Sequence, residues 1–176
     1  KKLTDCPAHS FGDFGDYKEI TYKEGIYVGY RYYDSHNIDV EFPFGHGLSY
    51  TSFEYSNLAV TSDETDKNDF TVTVRVNIKN TDKVAGAEVV QVYVAEPEAS
   101  VPRPVHELKG FFKVYLEPMK EKTATVYLRK DSFGYYDTKR HSFVVEPGEF
   151  EIQVGSSPRD IRLKETISIN REFMYL

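Results

Sequence analysis

The groups able to do chemistry crowd into one aromatic stretch, Glu24-Gly25-Ile26-Tyr27-Val28-Gly29-Tyr30-Arg31-Tyr32-Tyr33-Asp34. Two carboxylates, Glu24 and Asp34, flank it, and Arg31 lies between tyrosines, where a guanidinium can stack on rings. Such a set can hold a polar ligand. It can also be self-contained, with Glu24 and Asp34 pairing with Arg31 or capping nearby backbone, and that structural use is the expected one. The histidines, His9, His36, His46, His106 and His141, show no metal-ligand spacing. His106-Glu107 continues as Leu108-Lys109-Gly110, so a His-Glu-x-x-His zinc motif is absent. No metal or other cofactor is expected. His46, between Gly45 and Gly47, reads as a residue that orients its loop. Cys6 lies in a turn and is not expected to act as a nucleophile. A single cysteine forms no internal disulfide, which leaves the redox compartment open.

These residues need elements to position them. Residues 24–34 have aromatic and β-branched content suited to a strand, interrupted by Gly25 and Gly29, which mark a bulge or a close backbone approach. Residues 35–52 hold a polar turn, Ser35-His36-Asn37, and then a Pro/Gly-rich connector that marks a domain boundary. Residues 1–23 carry no periodicity. Pro7, Gly12 and Gly15 signal turns there, and the start reads as a loop cut from a larger body.

From Phe53 onward the pattern becomes one of short strands. The candidates are residues 53–60, 70–78, 89–94, 108–116, 123–128, 133–136 resuming at 142–145, and 150–154, with 166–169 as a closing edge. Residues 70–78 alternate apolar and polar, which gives one buried face and one wet face. The continuous apolar run 89–94 predicts a more central strand. Pro97, Pro102 and Pro104 exclude a central strand over residues 96–104. About seven strands separated by turn signals form the signature of an antiparallel β-sandwich. With one cysteine and no tryptophan, the Cys–Trp–Cys hallmark of true immunoglobulin domains is missing, which favours a fibronectin type III-like member. No window of ten or more residues carries a helical stripe.

Bulk properties exclude some partners. Net charge is −6, with Lys and Arg scattered, whereas nucleic-acid phosphates require a basic face. No apolar run approaches the ~20 residues of a membrane span. Residues 1–20 lack the apolar core of a signal peptide, so the compartment, cytoplasmic or exported, is unknown. The 14 tyrosines and 12 phenylalanines suit half-buried surfaces and interfaces, a homo-oligomer among them.

Longer motifs carry a resemblance. Tyr22-Lys23-Glu24-Gly25-Ile26-Tyr27-Val28-Gly29-Tyr30-Arg31-Tyr32-Tyr33-Asp34, then Phe42-Pro43-Phe44-Gly45-His46-Gly47-Leu48-Ser49-Tyr50-Thr51-Ser52-Phe53, is similar to the C-terminal part of glycoside hydrolase family 3 β-glucosidases. So are Ala87-Glu88-Val89-Val90-Gln91-Val92-Tyr93-Val94, Arg103-Pro104-Val105-His106-Glu107-Leu108-Lys109-Gly110-Phe111 and Val145-Glu146-Pro147-Gly148-Glu149-Phe150. The resemblance implies that residues 1–52 are the last segment of an α/β sandwich domain with its connector, and that residues 53–176 are a fibronectin type III-like domain. In that family a (β/α)₈ barrel carries the nucleophilic Asp within a Ser-Asp-Trp motif, and the α/β domain supplies the acid/base Glu. Here Ser62-Asp63 is followed by Glu64, so no catalytic residue is expected in the chain.

The implied parent releases terminal β-linked glucose with retention, through a glycosyl-enzyme intermediate. The implied partners are its catalytic domains, on the same or a separate chain. Glu24, Tyr27, Tyr30, Arg31, Tyr32, Tyr33, Phe44, His46 and Tyr50 are expected at the joint between domains. Two positions depart from the family pattern. Met119 occupies a turn where glycine is usual, and Phe143 stands in a region that often holds Trp. The alternative is a stand-alone carbohydrate-binding or adhesion module, which would use exposed aromatic rings.

Overall fold

The computed structural model describes residues 2–8, 18–20 and 22–176; His9, Gly12 and Gly15 lie outside the described residues. A 3-10 turn at Leu3–Asp5 and a short helix, α1, at Tyr30–Ser35 precede the strands. These are β1 Phe53–Asp63, β2 Thr71–Asn80, β3 Gly86–Ala95, β4 Glu107–Leu116, β5 Glu121–Arg129, β6 Tyr135–Asp137, β7 Ser142–Val145, β8 Gly148–Ser157, β9 Asp160–Ile169 and β10 Phe173–Tyr175. Sheet order is β1-β2-β5 on one side and β4-β3-β8-β9 on the other, with a small third sheet β10-β7-β6. Each pairing is antiparallel.

Alternation builds the core. In β2, Val72, Val74, Val76 and Ile78 are buried, and their intervening neighbours are more exposed. They meet Ala124, Val126 and Leu128 of β5, Val90, Val92 and Val94 of β3, and Phe150, Ile152 and Val154 of β8 in one cluster. Phe70, Phe133, Phe150 and Phe173 extend it, with ring centroids 4.8–5.3 Å apart, the spacing at which aromatic pairs attract. The fold is therefore mainly β, an antiparallel sandwich.

Three local expectations are corrected. Residues 24–34 do not form a strand: they make a turn over residues 23–26 and then α1. Gly29, at φ 61 and ψ −129, breaks the extended course just before the helix. Six residues are too few to show a helical stripe and too few to hold a helix by themselves, so packing must hold it. The last long strand begins at Asp160, not at 166, because Arg162, Lys164 and Glu165 hide an edge strand that pairs along β8. Phe173–Tyr175 adds an unexpected edge beside β7.

The central position expected for residues 89–94 is realised, since β3 lies between β4 and β8. Both of its faces are covered. Val90, Val92 and Val94 point into the core, while Gln91, Tyr93 and Ala95, on the opposite face, are also buried.

Candidate functional site

Residues 30–46 cover that opposite face, and α1 is the centre of the cover. The Tyr30 ring lies 6.1 Å from that of Tyr93 and 5.0 Å from that of Phe44. Its hydroxyl accepts from the Leu108 amide at 2.8 Å. Ser35 Oγ accepts from the Val105 amide at 3.2 Å. These two amides flank the start of β4, so the helix satisfies backbone donors that the sheet leaves unpaired. Gly45, at φ 74, rests on Gln91: a Cβ there would lie 2.3 Å from Gln91 Nε2. Gln91 is held in turn by Tyr93 Oη, which donates to its Oε1 at 2.5 Å, and by Ser156 O, which accepts from its amide at 2.5 Å. Burial pushes the Tyr93 phenol well above its ordinary range.

The charged residues of the aromatic stretch find partners far along the chain. The expected pairing of Glu24 and Asp34 with Arg31 is corrected. Arg31 Nε lies 3.5 Å from Glu107 Oε1. Asp34 takes Arg159 Nε on one oxygen at 2.7 Å and His106 Nε2 on the other at 3.3 Å. Arg159 also donates to Ile38 O at 2.6 Å. Glu24 is half-buried and lines a shallow groove with Tyr27, Tyr32, His36 and Arg103.

A second cluster centres on Arg103, which bonds Glu96 and the Phe133 carbonyl and lies 3.3 Å from Glu107. Burial pushes Glu96 up although Arg103 opposes it. Burial also pushes on Glu107, but Lys109, Arg103 and Arg31 outweigh it and hold that carboxyl below its usual range. Burial lowers Lys109 despite Glu107 at 3.4 Å. These charges neutralise one another, and none is presented to a cleft as a free acid/base pair.

The other residues expected at the joint separate into two groups. Tyr27, Tyr32 and Tyr33 remain near α1: Tyr32 lies tilted against His36 at 4.2 Å, Tyr27 meets the same ring at 5.9 Å, and Tyr33 Oη is 3.3 Å from Cys6 Sγ. His46 and Tyr50 lie along the connector. His46 lies tilted against Phe42 with ring centroids 5.2 Å apart, and Tyr50 is 95% exposed. Tyr22, Ile26, Val28, Phe42 and Leu48 are likewise half or more exposed. Between the connector and the β8–β9 turn runs a groove of about 570 Å³ that includes His46, Leu48, Val89, Arg159 and Arg162. Its cations are engaged, Arg159 with Asp34 and Arg162 with Asp160. Among the described residues no cluster of His, Cys, Asp and Glu is arranged to hold a metal.

Sequence reasoning passed over His106, Arg159, Gln153 and Arg103 as site residues. The available signal was local: Arg103 and His106 stand, with Glu107 and Lys109, where a proline-rich loop leads into a strand.

The surface and fold have counterparts among known proteins. Residues 88–158 match the family described as fibronectin type III-like domain. The chain is 51% identical over 156 residues to thermostable beta-glucosidase B of Acetivibrio thermocellus, covering 89% of this chain and 20% of that protein. It is 46% identical over 155 residues to the exo-alpha-(1->6)-L-arabinopyranosidase of Bifidobacterium breve, covering 88% and 20%. The crystal structure of beta-glucosidase from Kluyveromyces marxianus in complex with glucose superposes with a TM-score of 0.87 at 41% identity, covering 99% of this chain and 21% of that one. The chain spans about a fifth of the length of the curated relatives it matches.

Proposed function

Because the chain belongs to the C-terminal, fibronectin type III-like portion of glycoside hydrolase family 3, we propose that it serves a retaining β-glucosidase as a non-catalytic buttress. In this proposal residues 1–52 continue an α/β catalytic domain, and residues 53–176 are the sandwich that braces it. The parent hydrolyses terminal β-D-glucosyl residues, with its nucleophile and acid/base on domains outside these residues. Glu24, Tyr27, Tyr30, Arg31, Tyr32, Tyr33, Phe44, His46 and Tyr50 form the joint: Tyr30 and Arg31 on the sandwich side, Tyr50 on the side facing the catalytic body.

The observation that carries the proposal is the exposure of Tyr22, Ile26, Val28, Phe42, Leu48 and Tyr50 within residues 22–50, on either side of a helix whose Tyr30 and Ser35 bond the sheet. An apolar surface of this kind marks a contact with another protein body. The test compares the parent enzyme with residues 1–176 alone, each as wild type and as Leu48→Asp/Tyr50→Asp. The isolated chain should hydrolyse no aryl β-glucoside. Its stability should change by less than about 0.5 kcal/mol, as for other exposed sites, while the parent's thermal midpoint falls. Turnover by the isolated chain, or a parent indifferent to the two charges, would refute the proposal.

A further inference from the structure

The direction of hydrogen bonding along one line of side chains fixes the state of a buried imidazole. Lys164 Nζ lies 2.9 Å from Glu151 Oε1. A carboxylate only accepts, so Gln153, 2.6 Å from the same oxygen, must turn its amide nitrogen toward it. That leaves the Gln153 amide oxygen facing His106 Nδ1 at 3.1 Å, where only an N–H can satisfy it. On the other side of the ring, His106 Nε2 meets Asp34 Oδ2 at 3.3 Å. That oxygen is also an acceptor, and its partner oxygen takes Arg159 Nε. Both ring nitrogens therefore face acceptors. A neutral imidazole has one N–H and one lone pair, and either tautomer would set a lone pair against an oxygen in a site where the His106 side chain is 11% exposed and Asp34 7%.

We propose that His106 is a doubly protonated, cationic latch that holds α1 on the outer face of the β4-β3-β8-β9 sheet. Its surroundings suit a cation. From α1 the ring faces Asp34 and Tyr30, the latter with centroids 6.3 Å apart, and from β3 it faces Tyr93 at 5.2 Å. From β8 comes Gln153 with Glu151 behind it, and from β9 comes Lys164, which is paired with Glu151. Arg159 reaches the site through Asp34. The Glu151 carboxyl, pushed up by burial, is nonetheless held low by Lys164 and Gln153, with His106 acting in the same sense. Loss of the extra proton turns one of the two hydrogen bonds into a contact between acceptors. The six-residue helix, which packing alone maintains, then keeps Asp34 tied to the sheet through Arg159 only.

The test is a two-bond ¹H–¹⁵N correlation spectrum of the histidine rings in the full 176-residue chain. It is recorded at about pH 7.5, roughly one unit above the point where a free imidazole is half protonated. One histidine should show both nitrogens as N–H; a lone-pair nitrogen on every histidine overturns the proposal. In Asp34→Asn the same histidine should revert to a single N–H, and in His106→Phe, which leaves the Asp34–Arg159 pair in place, amide exchange within residues 30–35 should accelerate at least tenfold. A doubly protonated ring that is indifferent to Asp34→Asn overturns the latch role. The wild-type spectrum decides the protonation state even if the variant does not fold.

Discussion

Met119 occupies the β4–β5 turn at φ 58, in the left-handed region where a side chain crowds the backbone. Its side chain is 58% exposed, so little packing offsets that strain. Met119→Gly should stabilise the chain by about 0.5–1 kcal/mol, the strain relieved less the entropy that glycine adds to the unfolded state. Urea titration tests this, with an upward shift of the midpoint at unchanged slope as the expected outcome; a lower midpoint refutes it. The cost of this departure from the family's glycine was legible in the sequence, because it depends on one residue and its turn. The partners of Asp34 were not. His106 is 72 residues away and Arg159 is 125 residues away, and no local pattern in a single sequence joins such positions. Arg31 was legible as a clamp, but its grip on Glu107 was not, since Asp34 lay closer in sequence and offered the same charge.

Strands were more legible than the helix because alternation repeats over many residues, whereas α1 spans six. The period of β2 and the apolar run of β3 follow from burial on one face and on two faces. The ends of β1 and β9 were hidden by polar residues on exposed edges, where the ladder rather than burial decides the conformation. One close approach between elements is testable. Gly110 of β4 lies against Val126 of β5, and an added Cβ would fall 2.5 Å from Val126 Cγ1. Gly110→Ala should destabilise by about 1–3 kcal/mol through overpacking. Gly110→Ala combined with Val126→Ala should cost less than the two single changes summed, because the second relieves the clash caused by the first. Strict additivity across that double-mutant cycle would exclude the contact as the cause.

Across the whole molecule, stability should fall in acid. Burial opposes ionisation of Glu107 and Glu151, yet Lys109, Arg103 and Arg31 hold the first low, and Lys164 and Gln153 the second. Asp160 is held low by the Arg162 hydrogen bonds. A carboxyl that releases its proton more readily when folded adds stability above the unfolded range, about 3.9–4.3. That contribution is lost as the pH falls through the lower folded value. Asp63, Asp137 and Glu146 are held low as well, and Glu96, pushed up by burial, has the opposite sign but stands alone against these six. The urea midpoint should therefore drop between about pH 5 and pH 3. Part of the drop should vanish at about 1 M salt, because Glu151 and Asp160 are substantially exposed and their pairings are screened. A midpoint constant over that interval contradicts the assignment.

The link between Asp34 and Arg159 also sets a schedule for synthesis. Asp34 leaves the ribosome 125 residues ahead of Arg159, an interval of roughly 6–25 s at about 5–20 residues per second. Throughout it the aromatic helix segment has been made and the sheet that will receive it has not. Made well before its sheet, the aromatic helix segment is thus among the last of these elements to find its place, and for those seconds its tyrosines are open to whatever else is nearby, including a chaperone.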